Sequence, residues 1–146
     1  MGGKHPRVIG TTIEAIEKAE KDLGFLLSPS HRDWLLSNNG KYLEDITIFP
    51  VFDERDPRKT WDSIVRNFNE NWQSWVSNFG AAYNFSHLLP FGEFGTGDYF
   101  CFDFSSVGLN SEAVVVRWSH ETGETEHIAK NFAEFVLKVE AGVLNY

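Results

Sequence analysis

The sequence predicts an α+β fold in a single domain (residues 1–146), with a central, mostly antiparallel sheet flanked by N-terminal, middle and C-terminal helices. Three observations predict it. The 146 residues match the size of one domain. Apolar residues make up 42% of the chain and aromatic residues 15%, which is enough to fill a hydrophobic core. Helical patterns, then consecutive hairpin-like strands, then a final helix favour α+β over alternating βαβ units.

The chain begins with a segment that has no apolar periodicity. We expect residues 1–10 to form a flexible N-terminal tail. A helix follows, because Thr11 and Glu14 form a capping box in which each side chain can accept the other residue's free N–H. Leu23 is its last apolar position, and Gly24 then suits a left-handed helix cap.

A second helix and a first strand come next. Pro29 stands at the first position of this helix, where its missing N–H is harmless, and the helix is expected to end at residues 38–40. Residues 46–51 are β-branched and aromatic enough for a strand. Pro50 favours an edge position for that strand, because proline cannot donate a ladder hydrogen bond.

The middle of the chain combines a charged stretch with the longest apolar stripe. Residues 53–59 are charged and contain Pro57, which predicts an exposed loop. A long helix is expected after Thr60 and should end at Gly80. Its apolar residues recur at helical spacing and should face the core; they are Trp61, Ile64, Val65, Phe68, Trp72, Trp75, Val76 and Phe79.

The second half of the sequence is typical of a sheet closed by one helix. Strands are expected at residues 88–91, 98–104, 113–118 and 125–128. The 98–104 segment alternates strictly, so that its three phenylalanines should share one face. Asn131 and Glu134 then cap a helix that ends at Gly142.

Charge and motifs argue against several function classes. The net charge is −8, whereas binding of nucleic-acid phosphate or an anionic membrane requires positive charge, at least locally. Two histidines and three glutamates between residues 120 and 127 lack a recognised zinc spacing, so a solvated hairpin is the alternative to a metal site. Cys101 lies within a strand pattern, which favours a buried residue over a nucleophile. We expect no enzyme activity, no cofactor and no metal.

Residues 92–97 form a glycine-rich segment between two strands. A phosphate-binding loop requires a helix after it, and here a strand follows, with no lysine in the segment. A tight turn or bulge is therefore the preferred interpretation. No apolar stretch reaches the length of a membrane span, and the N-terminus lacks a signal sequence, so we expect a cytoplasmic protein.

Three stretches together resemble the SUKH superfamily, whose fungal branch contains the Smi/Knr regulators of cell-wall glucan synthesis. Residues 16–40 carry Glu20, Leu23-Gly24, Leu27, Trp34-Leu35-Leu36 and Asn39-Gly40, although Ser28-Pro29 replaces the usual Leu-Pro. The second stretch contains Leu89-Pro90-Phe91-Gly92 and Gly97-Asp98-Tyr99-Phe100-Cys101-Phe102-Asp103. The third, residues 114–137, resembles the family's closing strand, turn and helix. The segment 52–85 lies outside the resemblance.

This resemblance implies a binding role rather than catalysis. Most bacterial members of the superfamily are immunity proteins that neutralise secreted polymorphic toxins in the producing cell, and many such toxins are basic nucleases. The leading hypothesis is therefore a toxin-neutralising immunity protein, and the alternative is a regulatory scaffold of the glucan-synthesis type. The charge of −8 agrees with a basic protein partner.

The candidate partner-binding residues are acidic and lie mainly in the segment outside the resemblance. Loops on a rigid scaffold are common binding sites, and carboxylates there could occupy a toxin's phosphate-binding groove. An ordinary solvated loop is the alternative. The candidates are Asp53, Glu54, Asp56 and Asp62, joined by Glu93 and Asp98 of the glycine-rich segment if the fold brings that segment alongside.

Overall fold

The computed structural model describes residues 8–95, 97–107 and 110–144 and confirms the predicted α+β fold. One antiparallel sheet has the strand order β1-β2-β3-β4-β5-β6, so each strand pairs with its neighbour in the chain. The strands are β1 Tyr42–Leu43, β2 Ile46–Ile48, β3 Leu88–Phe94, β4 Asp98–Val107, β5 Ala113–Trp118 and β6 Thr125–Ala129.

Helices cover the sheet on both faces. The described helices are α1 Ile13–Leu23, α2 Pro29–Asn38, α3 Pro57–Thr60, α4 Ile64–Asn67, α5 Gln73–Val76 and α6 Phe132–Glu140. A π-helical turn, Phe68–Trp72, joins α4 to α5, and we call the continuous unit 64–76 the middle helix.

The N-terminal helix begins one residue later than predicted. Its cap is Thr12, whose hydroxyl accepts a hydrogen bond from the Ala15 N–H at 3.1 Å, so the predicted cap at Thr11 is wrong. The predicted tail reaches the fold at its last residue, Gly10, which is buried, whereas Ile9 is 67% exposed. A Cβ at Gly10 would stand 1.8 Å from the carbonyl oxygen of Leu36, and φ is +67°, so glycine is required there. Residues 1–7 lie outside the described residues.

The strand predicted at residues 46–51 ends at Ile48, and it is not an edge strand. It pairs with β1 on one side and β3 on the other, and the two-residue β1 was not predicted. Pro50 follows the strand, so it interrupts no ladder. Its carbonyl oxygen accepts the Ile64 N–H at 2.8 Å, which fixes the start of the middle helix against the sheet.

The middle helix is shorter than predicted. Ser63 caps it, accepting a hydrogen bond from the Arg66 N–H at 3.1 Å, so the helix does not extend back to Trp61. Trp61 is 63% exposed, and its predicted place in the core stripe is wrong. The stripe is confirmed for Trp72, which is 2% exposed.

Aromatic packing holds both layers together. On one face of the sheet, Trp72 packs edge-on against Tyr99 and Trp118, with ring centroids 5.6 and 4.8 Å apart. On the other face, Phe91 packs against Phe132 and Phe135 of α6 at 5.5 and 5.3 Å. The central strands are therefore buried on both sides, which explains their near-continuous apolar sequences.

Candidate partner-binding surface

Asp53 belongs to a buried network, so the predicted exposed loop is wrong at this residue. Its side chain is 4% exposed and accepts hydrogen bonds from Arg55 Nη2 at 2.7 Å and Thr11 Oγ1 at 2.9 Å. The hydrogen bond from Arg55 is the main reason that the pKa of Asp53 falls from 3.8 to about 2. Asp53 thus ties the chain entering α1 to the segment before α3.

Glu54 and Asp56 fit the expectation of a surface segment better. Glu54 is exposed and Asp56 is partly exposed, immediately before α3. The backbone of Asp56 is held in place, because its carbonyl oxygen accepts the Thr60 hydroxyl at 2.9 Å. These two carboxylates are therefore presented from a fixed backbone.

Asp62 and Glu93 lie far apart in the sequence, but the fold brings them close enough for the charge of Asp62 to act on Glu93. Burial is the main cause of a raised pKa at Glu93, and the negative charge of Asp62 raises that pKa further. Asp62 also accepts hydrogen bonds from Arg66 Nη1 and Asn67 Nδ2, both at 3.0 Å, so its carboxylate is fixed at the start of the middle helix.

An exposed aromatic residue borders these carboxylates. The guanidinium carbon of Arg66 lies 5.7 Å from the ring centroid of Trp61, while Arg66 Nε lies 3.3 Å from Glu70 Oε2. We name Trp61, Asp62, Glu70 and Glu93 the acidic edge. The helical spacing placed Trp61 in the core, and Ser63, a typical cap residue, was the available signal that a new helix starts after it.

Asp98 is engaged elsewhere. Its Oδ1 lies 2.6 Å from His120 Nδ1 and accepts the His120 N–H at 3.0 Å. The ring of His120 packs edge-on against Trp75, with centroids 5.0 Å apart. Asp98 therefore joins the β3–β4 hairpin to the turn after β5, and the middle helix packs against this junction.

The first half of the glycine-rich segment, residues 92–94, extends β3 beyond its predicted end at residue 91, and the chain reverses between Phe94 and Asp98. β3 and β4 pair antiparallel on either side of this reversal, with a bulge between Pro90 and Gly92. Gly97 has φ +91°, a left-handed conformation that favours glycine. Residue 96 lies outside the described residues.

The described residues offer little that suggests catalysis. Cys101 is buried, and that burial raises the pKa of its thiol well above the usual value, which disfavours the reactive thiolate. Within the described ranges, no group of three or more His, Cys, Asp or Glu side chains is arranged to hold a metal ion. None of the helices in these ranges is both long and apolar enough to cross a membrane.

Comparison with known proteins gives the family. A search of curated proteins finds no match. The family model described as the SMI1 / KNR4 family (SUKH-1) matches residues 10–138, which span every element from α1 into α6 and include the segment 52–85, so the expectation that this segment lies outside the family is wrong. Because the match covers most of the chain and agrees with the three stretches that resemble the superfamily, the protein belongs to the SMI1/KNR4 family (SUKH-1).

Proposed function

We propose that this protein is a non-enzymatic binding module, and specifically a bacterial immunity protein that neutralises a cognate polymorphic toxin by stoichiometric binding in the cytoplasm. Membership of the SUKH-1 family supports a binding module in general. The proposal requires no metal or nucleotide. It takes the toxin to be a basic protein, such as a nuclease whose surface binds phosphate.

The acidic edge is the observation that carries this proposal. It combines a tryptophan that is 63% exposed with Asp62, the next residue in the chain, and with Glu93, which the charge of Asp62 reaches, on a chain with a net charge of −8. Tryptophan is enriched among the residues that dominate binding energy at protein interfaces. Carboxylates around such an anchor attract a basic partner and accelerate association.

The alternative is a regulatory scaffold of the cell-wall glucan-synthesis type, which the SMI1/KNR4 description of the matching family favours. The two functions differ in the partner. An immunity protein has one toxin encoded beside its own gene, whereas a scaffold binds proteins of its own cell.

The test is protection against the neighbouring gene product. The C-terminal domain of a large secreted protein encoded next to this chain is expressed in a bacterial host with and without the chain. We expect growth arrest without the chain and normal growth with it, and a 1:1 complex in calorimetry. A domain that arrests growth equally in both cultures would contradict the proposal.

Once the complex with the toxin has been isolated, charge variants test whether the acidic edge is its contact surface. Glu70→Lys with Glu93→Gln should slow association by about 10-fold and flatten its salt dependence, because steering by the acidic edge is lost. Glu17→Lys with Glu140→Gln changes the net charge equally at two exposed sites elsewhere and is the matched control. Equal association rates for the two double variants would exclude the acidic edge as the contact surface.

Glu54 and Asp56 form a second acidic site for the same measurement. The double variant Glu54→Lys and Asp56→Lys leaves the buried Asp53 network untouched. A slower association here, with no change in melting temperature, would extend the contact surface to the segment before α3.

A further inference from the structure

A groove separate from the acidic edge opens at the C-terminal end of the middle helix. It has a volume of about 510 Å³ and lies between residues 68 and 88. Five aromatic residues line it, and we call it the aromatic groove: Phe68, Trp72, Phe79, Tyr83 and Phe85.

The rings of the aromatic groove hold one another in place. Phe79 lies 5.1 Å from Tyr83 and 5.4 Å from Phe85, measured between ring centroids, and Trp72 lies 6.3 Å from Phe85. Tyr83 is 51% exposed, so its ring is accessible to a partner. The π-helical turn forms one wall, where Gln73 Nε2 donates to the Phe68 carbonyl oxygen at 3.1 Å. Such turns are frequent at functional sites.

The turn between β5 and β6 packs against the outer rings. At Gly123, φ is +74°, and a Cβ would stand 2.9 Å from Phe79 Cε1 and 3.1 Å from Phe85 Cζ. Glycine is therefore needed for this close approach. Glu121 and Glu124 belong to the same turn and are both exposed, so the turn that approaches Phe79 and Phe85 carries two carboxylates.

The groove itself is uncharged: within the part of the chain that the structure describes, no lysine, arginine, aspartate or glutamate lines it. Attraction for a cation therefore comes from the aromatic rings and from the carboxylates of the neighbouring turn. The face of an aromatic ring carries negative potential and attracts cations, and nearby carboxylates add to that attraction. A guanidinium group also stacks flat on an aromatic ring, which an ammonium group cannot do.

We propose that the aromatic groove binds an arginine side chain presented by the basic partner. This inference rests on the proposed function and adds to it the anchor that the partner supplies. The arginine stacks on the exposed Tyr83 ring with its charge facing Glu121 and Glu124. The acidic edge steers the partner, and the aromatic groove holds one of its side chains.

The test uses a hexa-arginine peptide, with hexa-lysine as a probe of equal charge. Calorimetry should show that the intact chain binds hexa-arginine more tightly than hexa-lysine. The backbone NMR signals of the protein that change on adding hexa-arginine should belong mainly to residues 68–88 and 119–124. Tyr83→Ala should weaken hexa-arginine binding by roughly 2- to 5-fold, the range expected when a cation–ring contact at an exposed ring is lost. Glu121→Gln with Glu124→Gln should weaken it as well.

Tyr42→Ala is the matched control, because it removes a tyrosine ring that is 71% exposed in β1, outside the lining of the groove. We expect it to leave hexa-arginine affinity unchanged. Binding that is lost with Tyr42→Ala and kept with Tyr83→Ala would overturn the proposal, and so would equal affinity for the two peptides. Melting temperatures of both variants verify that each remains folded.

A toxin-neutralisation assay distinguishes a failure of the groove proposal from a failure of the proposed immunity function. A Tyr83→Ala variant that protects cells and binds toxin as tightly as the wild type would overturn the groove proposal and leave the immunity function standing. If the neighbouring protein is not neutralised by the wild type while hexa-arginine binds as predicted, the immunity function fails and the groove remains a site for an arginine side chain.

Discussion

His31 should make the stability of this protein fall as the pH is lowered from 6.5. The side chain of His31 is fully buried in α2, with ring centroids 5.1 Å from Phe102 and 4.9 Å from Phe132. Neither ring nitrogen has a hydrogen-bond partner among the described residues. Burial in this apolar site lowers the pKa of His31 from 6.5 to about 3, because the charged imidazolium cannot be solvated there.

The direction of the pH effect on stability follows from how many protons the folded and unfolded chains bind. Between pH 6.5 and about 3, the unfolded chain binds a proton at His31 and the folded chain does not, so acid favours the unfolded state. Each pH unit in this window removes about 1.4 kcal/mol from the free energy of unfolding. At pH 4.5, two units below the usual value, the loss is about 2.7 kcal/mol, and it is the same for any folded-state pKa well below 4.5.

The experiment compares the wild type with His31→Leu by urea unfolding at pH 7.5, 6.5, 5.5 and 4.5, followed by tryptophan fluorescence. The difference in stability between the two proteins should move in favour of the leucine variant by about 2.7 kcal/mol between pH 7.5 and pH 4.5. His127→Gln, at an exposed histidine, should track the wild type. Parallel curves for the wild type and His31→Leu would refute a neutral, buried His31.

Four further outcomes follow from the packing and the charges. Trp72→Ala should lose about 3–5 kcal/mol of stability in urea unfolding, whereas Trp61→Ala should change it by less than about 0.5 kcal/mol; similar losses would contradict the assignment of only one of them to the core. Asp53→Asn should destabilise the fold above pH 4, and the difference should disappear as the pH falls towards 2, because the lowered pKa of Asp53 contributes stability only while the carboxylate is charged. Cys101 should resist a thiol reagent in the native protein and react in denaturant; rapid native labelling would disprove its burial. Zinc or ATP should leave the melting temperature unchanged, and a rise of several degrees at micromolar ligand would show a binding site that we do not expect.

Local patterns predicted most of the elements, because the signals for them lie within a few residues of each other. The cap of α6 is an example: Asn131 Oδ1 accepts the Glu134 N–H at 2.8 Å, as the spacing of the two residues indicates. The alternation in β4 predicted a strand with two faces, and both faces of its central residues are buried. The reversal between β3 and β4 was also predictable from the strand patterns on either side of it, although β3 continues to Phe94.

The errors arose where distant residues decide the outcome. The charged stretch around Asp53 has the composition of an exposed loop, but its carboxylate is buried by a partner 42 residues away, Thr11. Asp62 and Glu93 are 31 positions apart, and only the fold brings them close enough for the charge of Asp62 to act on Glu93. No spacing in the sequence could show this. At Trp61 the helical periodicity continued past the true start of the helix, because apolar spacing alone cannot distinguish one helix from two successive ones.

The long connection between β2 and β3 gives this fold room for divergence. These strands are neighbours in the sheet, and two residues would suffice to join an antiparallel pair of this kind. Residues 49–87 make the connection instead and contain the middle helix, the acidic edge except Glu93, and much of the aromatic groove. Lengthening such a connection destabilises a fold only slowly, by about 0.6 kcal/mol for each doubling. The exposed parts of this segment can therefore be lengthened while the strand order and the buried Trp72 are kept, so that one scaffold can present different surfaces to different partners.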